Sequence, residues 1–243
     1  MAASNRDPFV KRASMSKTIV IVGFGPSTST AVAEKFGTEG FSVALVGRNK
    51  DRLDAGVSGL KARGIVAGAF PADAADPAAI VAAIRSARSE LGPIAAIHWN
   101  AYGGTEAGDL LTADPAALRG IFDIAVFGLL AATSEALPDL KSAGDGAILI
   151  TNGYFGELSA DIDATVTSLN VMGVALAAAA KNKLAGMLAQ RLKGDGVYVG
   201  EVMVRGSIKG TPTDSGNSID PSKIADKFWE VYKARGETLA AVS

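Results

Sequence analysis

Residues 17–48 read KTIVIVGFGPSTSTAVAEKFGTEGFSVALVGR, and this stretch decides the fold. Ile19, Val20, Ile21 and Val22 form a continuous β-branched run, the pattern of a strand buried on both faces. Gly23, Gly25 and Pro26 break it. Ser27, Thr28, Ser29 and Thr30 are residue types that cap a helix start, and Ala31, Val32, Ala33 and Phe36 give that helix an apolar side. Gly40 ends the helix, and residues 41–46 are a second apolar strand. Strand, turn, helix and strand within about thirty residues make a parallel crossover unit. Such a turn aims backbone N–H groups and the positive helix end above the sheet, where a pyrophosphate is the usual occupant.

The turn resembles that of the short-chain dehydrogenase/reductase superfamily, which opens with T-G-x-x-x-G-x-G. Here the residues are V-G-F-G-P-S-T-S. Gly23 matches the first glycine, while Ser27 and Ser29 stand where the second and third belong. The second glycine lets the backbone approach phosphate and the third lets helix and strand pack closely. A serine in their place can itself donate to phosphate. The resemblance implies a cofactor loop built from Gly23, Gly25, Ser27 and Ser29.

Composition bounds the rest. The chain has 243 residues, 48% hydrophobic and 20% charged, with a net charge of −1. That fits one α/β domain with an ample core. Near-neutral charge gives no reason to invoke nucleic acid or an anionic membrane surface. No stretch reads as long and apolar enough to span a bilayer; the Ala-rich run 171–180 is too short. There are no cysteines, so disulfide and thiolate chemistry are excluded, and a single histidine argues against a histidine-based metal site. Residues 1–16 are polar, lack an apolar signal core, and read as a disordered extension ahead of a domain at 17–243. The expected location is cytoplasmic.

Strands and helices alternate throughout, as in a Rossmann-type, doubly wound parallel sheet. Arg48 follows the second strand. In the resembling family an arginine there grips the 2′-phosphate of NADP(H), whereas an acidic residue suggests NAD(H); NADP(H) is therefore expected, with Asn49 as a helper. A helix over 50–63 leads to a strand over 65–70. The family uses an Asp after this strand to contact adenine, which points to Asp73, while Asp76 before Pro77 reads as a helix cap. The strand 94–99 ends in Asn100, Ala101 and Tyr102. The family pattern N-N-A-G is matched by Asn100 and Ala101 but not by Trp99 or Tyr102. His98 reads as a core histidine rather than a base.

A helix is expected over 114–140, containing F-D-I-A-V-F-G where the family has F-D-V-N-x-x-G, so Ala125 replaces the active-site asparagine. In the family, this helix and the lysine-bearing one form the main interface, which implies a homodimer or homotetramer. The strand 147–151 is followed by Asn152, Gly153 and Tyr154, where the family places its serines. The family's Y-x-x-x-K motif puts tyrosine and lysine on one helix face. Lys181 matches the lysine, but Ala177 stands in place of tyrosine; shifting to Lys183 yields only Ala179.

Reduction of a carbonyl builds negative charge on oxygen, and a positioned acid must supply a proton there. Lys181 is retained, and Tyr154, at a strand end facing the crevice, is the candidate replacement donor. After the strand 198–204, Gly206 corresponds to the glycine of the family's P-G turn near the nicotinamide. Thr211, in the turn-rich loop 208–220, corresponds to a phosphate-contacting threonine of the substrate lid. A helix over 221–234 and a strand over 238–242 complete the chain. Two functions fit: an NADP(H)-dependent oxidoreductase with an altered active site and unknown substrate, or a protein that keeps the fold and binds a nucleotide or partner without redox activity. A non-redox enzyme reusing the pocket is a third.

Overall fold

A computed structural model describes residues 17–214 and 216–243; the N-terminal extension expected at 1–16 lies outside the described residues. Seven parallel strands form one sheet in the order β3-β2-β1-β4-β5-β6-β7. They are β1 (Lys17–Val22), β2 (Phe41–Gly47), β3 (Ala67–Pro71), β4 (Ile94–Trp99), β5 (Ala147–Gly153), β6 (Tyr198–Val204) and β7 (Leu239–Val242). The order reverses at β1, which pairs with β2 on one side and β4 on the other. An open parallel sheet binds ligands at the carboxyl ends of its strands beside such a reversal.

Eight α-helices cover both faces among the described residues: α1 (Thr28–Thr38), α2 (Lys50–Ala62), α3 (Pro77–Leu91), α4 (Pro115–Phe122), α5 (Leu129–Ser142), α6 (Ala160–Ser168), α7 (Met172–Leu192) and α8 (Pro221–Ala234). On one face Ile19, Ile21, Leu45 and Leu149 pack under Phe36 of α1 and Phe228 of α8. On the other, Val20, Val22, Ile97 and Ile148 meet Ile84 of α3, Leu129 of α5 and Ala185 of α7. Each core strand thus buries both of its sides, which is why the runs are apolar without alternation.

The segment 155–170 contains α6, which buries only Val166. Two expectations are corrected. β5 runs two residues further than expected, taking Asn152 and Gly153 into the strand through pairing with Met203 and Val204. The expectation that no stretch is long and apolar enough to cross a bilayer also fails. Pro115–Ser142 is one continuous helix of 28 residues that passes on length and composition. It lies against the sheet, with Ile121, Ala125, Leu129, Ala132, Ala136 and Leu140 buried. Its Arg88-facing side carries Glu135 and Asp139, both ion-paired to that α3 arginine.

This long helix is interrupted by a π-helical turn, Asp123–Gly128. Single π turns insert one extra residue and recur at functional sites. Here the turn brings the Gly128 backbone so close that a Cβ would lie 2.1 Å from the Ala74 carbonyl oxygen. The same Cβ would stand 3.0 Å from the Trp99 ring.

Candidate functional site

The turn after β1 stands at the reversal point. Gly23 has φ +82°, and a Cβ there would come 2.5 Å from the Ala101 Cα and N atoms. Only glycine lets β1 and the end of β4 approach this closely. Asn100 fixes the other side: its N–H donates to Val22 O at 2.9 Å, and its Nδ2 lies 3.4 Å from Gly23 O. Asn100, Ala101 and Gly23 are thus brought together, as their sequence positions suggest.

The two serines behave differently from one another. Ser29, fully buried, accepts from the Gly25 N–H at 2.8 Å and donates to Gly25 O at 2.9 Å. Thr30 also donates to Gly25 O. These hydroxyls fold the turn onto itself and take up the Gly25 N–H. The expectation that 27–30 cap the helix is therefore corrected: Ser27 occupies the cap position of α1 with no side-chain cap hydrogen bond. An α-helix leaves its first N–H groups without intrahelical acceptors, so the start of α1 keeps an anion-binding character. Ser27 has φ +79° and ψ −122°, a backbone region that favours glycine, and its Oγ donates to Lys209 O at 3.1 Å. That bond spans from the turn to the loop after β6.

Arg48 is exposed at the end of β2. Asn49 does not stand free beside it: its Oδ1 accepts from the Arg52 N–H as the cap of α2. Sequence reading missed Arg52. Its Nη1 stands 3.7 Å from where a Gly25 Cβ would be, on the rim of a groove of about 330 Å³ between α1 and α2. Asp73 lies after β3, where its Oδ1 accepts from the Ala75 N–H; Asp76 caps α3 as expected. Thr211 turns inward to its own loop, donating to Ile208 O at 2.7 Å. Gly206 follows Arg205, which ion-pairs with Glu157. The loop is held shut by a bridge between Ile208 and Ile219.

At the far side of the crevice Lys181, on α7, donates from Nζ to Thr151 O at 3.1 Å. Burial pushes its ammonium down to about 8, while Glu201 opposes that shift. Ala177, one turn earlier, is buried against Ala107, Ile121 and Ala125. The small residues at 125 and 177 therefore touch a common apolar cluster. The segment after β4 closes this side, with the Gly173 N–H donating to Ala107 O at 2.9 Å. Tyr154 sits in a short 3₁₀ turn after β5, its ring 4.7 Å from that of Phe155. Tyr102 is 59% exposed. His98 is buried in β4, its ring 4.7 Å from Phe228 and its Nε2 2.9 Å from Thr151 Oγ1. Burial lowers its pKa to about 3, which keeps it neutral and confirms its place in the core.

Glu201 and Asn182 were also missed. They meet Asn152 in a buried polar cluster behind Lys181. A signal existed: Glu201 is the one charged residue in the apolar strand YVGEVMV.

A tight glycine turn, an open helix start and a lysine across the reversal point mark the ligand crevice of a doubly wound parallel α/β domain. The chain belongs to the short-chain dehydrogenase family, whose profile matches residues 17–213. It is 40% identical over 78 residues to 2,3-dihydro-2,3-dihydroxybenzoate dehydrogenase of Bacillus subtilis, covering 32% of this chain and 30% of that enzyme. It is 31% identical over 134 residues to 2-(S)-hydroxypropyl-CoM dehydrogenase 3 of Xanthobacter autotrophicus, covering 55% and 52%. The chain thus matches only part of the length of these relatives, 30% of one and 52% of the other. Among solved structures it resembles L-sorbose reductase of Gluconobacter frateurii, complexed with NADPH and L-sorbose. There the TM-score is 0.80 and the identity 19%, over 94% of this chain and 96% of that one. At that identity the likeness concerns the fold.

Proposed function

We propose that this chain is an NADP(H)-dependent oxidoreductase of the short-chain type with an altered active site, acting on an unidentified small molecule. The residues fit an anionic dinucleotide: a turn made tight by Gly23, the uncapped start of α1, Arg48 at the end of β2 and Lys181 across the crevice. In this reading Gly23, Gly25, Ser27, Ser29, Asn100 and Ala101 line the dinucleotide path. Arg48 takes the 2′-phosphate, Asp73 the adenine side, Gly206 the nicotinamide side and Thr211 a cofactor phosphate. When bound, NADPH supplies hydride to a carbonyl carbon.

The observation that carries the reading is the place of Lys181. Its ammonium stands at the end of β5, beside Asn152 and Gly153, with a single hydrogen-bond acceptor among the described residues. An ammonium has three N–H donors, so two remain to meet a ribose hydroxyl or a developing alkoxide. With Ala177 turned into an apolar cluster, Lys181 holds the transferable proton, and Tyr154 is the second donor at that strand end. Phe127, Leu176 and Met187 are exposed on the long helix and on α7. These faces support a homodimer or homotetramer, and the same reading includes a cytoplasmic location.

A non-redox binding role is the second reading, favoured by the Ser27–Lys209 bond across the crevice mouth. Calorimetric titration with NADPH and NADH tests the first reading: micromolar NADPH binding with weaker NADH supports it, and binding of neither removes it. Oxidation of bound NADPH by a panel of carbonyl compounds then separates an oxidoreductase from a protein that binds the nucleotide without redox activity.

A further inference from the structure

β6 places one carboxylate, Glu201, inside the layer formed by α3, α5 and α7, on the same side as Val199. The residue is 1% exposed. Its Oε1 accepts from Asn152 Nδ2 at 2.6 Å, and its Oε2 accepts from Asn182 Nδ2 at 3.2 Å. These two carboxamides flank one contact. Asn152 follows Thr151, whose carbonyl accepts the Lys181 Nζ, and Asn182 follows Lys181 itself. Asn152 makes two more bonds: Nδ2 donates to Ala178 O at 2.8 Å, and Oδ1 accepts from the Gly153 N–H at 3.0 Å. One carboxylate therefore ties the end of β5 to two successive turns of α7.

The chemistry of the cluster fits an ionised acceptor. Two amide donors point at the carboxyl oxygens, and an ionised carboxylate only accepts. A buried charge needs an opposite one. Lys181 is the one charge acting on Glu201, and Glu201 the one charge acting on Lys181, among the described residues. β5 offers no ionisable side chain here and β7 none at all. His98 of β4 meets Thr151 at its hydroxyl, packed against Phe228 on the other face of the sheet. Lys183 of α7 is exposed. Tyr232 of α8 belongs to the opposite core and bonds Asp145.

We infer that Glu201 is a positioning residue, which fixes the Lys181 ammonium against the end of β5 through Asn152 and Asn182 and serves as its counter-charge. This rests on the reading of Lys181 as holder of the transferable proton. In the family-like arrangement a tyrosine would share that task; here the carboxylate beneath the lysine takes up the support.

The test is an NMR titration of the lysine εCH2 signals in cofactor-free protein labelled with ¹³C-lysine, with Lys181 assigned by its loss in Lys181→Arg. The wild-type signal is expected to titrate at about 8. In Glu201→Gln the midpoint moves down, by about one unit, because the opposite charge that favours the ammonium is gone. An unmoved midpoint in folded Glu201→Gln overturns the inference, since a merely structural carboxyl leaves the lysine titration alone. If that variant does not fold, Glu201→Asp keeps the charge but withdraws it by one methylene. A smaller downward shift is then expected, and none overturns the inference. The readout needs no turnover. A moved midpoint without NADPH-dependent reduction would refute only the oxidoreductase reading.

Discussion

The Ser27 hydroxyl donates to the Lys209 carbonyl oxygen at 3.1 Å, joining the turn after β1 to the loop after β6 across the mouth of the crevice. The donor residue holds φ +79°, where a side chain is unfavourable. Ser27→Gly relieves the backbone and cuts the bridge. These effects oppose one another, at roughly 1 kcal/mol each, so the melting temperature should move little. NADPH affinity should rise several-fold, because glycine at this position lets the backbone approach the pyrophosphate more closely. Calorimetry on the variant checks this; weaker binding would mean that Ser27 donates to the phosphate.

Arg48 is the exposed cation nearest the end of β2 by sequence. Arg48→Ala should weaken NADPH by roughly tenfold or more, the size of one charge-assisted hydrogen bond, and leave NADH nearly unchanged. Fluorescence titration with both nucleotides decides it. Equal losses would remove the 2′-phosphate assignment.

Ala177 packs with Ala107, Ile121 and Ala125. Ala177→Tyr therefore overfills a closed cluster, and urea unfolding should register a loss of about 1–3 kcal/mol. Carbonyl reduction should gain little. A stable variant with strong new activity would show that the side chain has an open path to the crevice.

Lys181 also leaves a mark on stability. Its folded pKa is lowered by burial to about 8 from 10.5. Between those values the unfolded chain binds more protons than the folded one, so this residue makes stability rise with pH across that window. Below about pH 8 both states are protonated, and the full penalty of a buried ammonium is present. The stability of wild type relative to Lys181→Met should rise between about pH 8 and pH 10.5, on top of a constant offset from the Glu201 carboxylate left without its counter-charge in that variant. Chemical denaturation of both proteins at several pH values measures the difference; a gap independent of pH would place the lysine in water.

The fold was readable because parallel strands buried on both faces leave continuous runs such as Ile19–Val22, and because Asp76 before Pro77 marks a helix start. α6 was not readable: ADIDATVTS buries one residue and carries no stripe of its own, so its neighbours set it. The site divided in the same way. Gly23, Asn100 and Lys181 were picked out by the family resemblance, and they stand at the ends of β1, β4 and β5 respectively. The commitment of the Ser29 hydroxyl to Gly25, the reach of Ser27 to Lys209 and the turning of Thr211 into its own loop depend on partners that no local pattern names. Glu201 lay in plain view as a lone charge in an apolar strand, but its partners Asn152 and Asn182 come from two other elements.

The reversal of strand order at β1 has a consequence for biosynthesis. β1 is complete at Val22, yet its second neighbour β4 begins only at Ile94. A nascent chain leaving the ribosome therefore carries β1 for about seventy residues with one edge unpaired and Ile97 not yet in place beside Val20. Non-local pairing of this kind is slow and exposes sticky surface. Translation that stalls before residue 94 should yield fragments that aggregate or engage chaperones, whereas release after β6 lets the sheet close around its oldest strand.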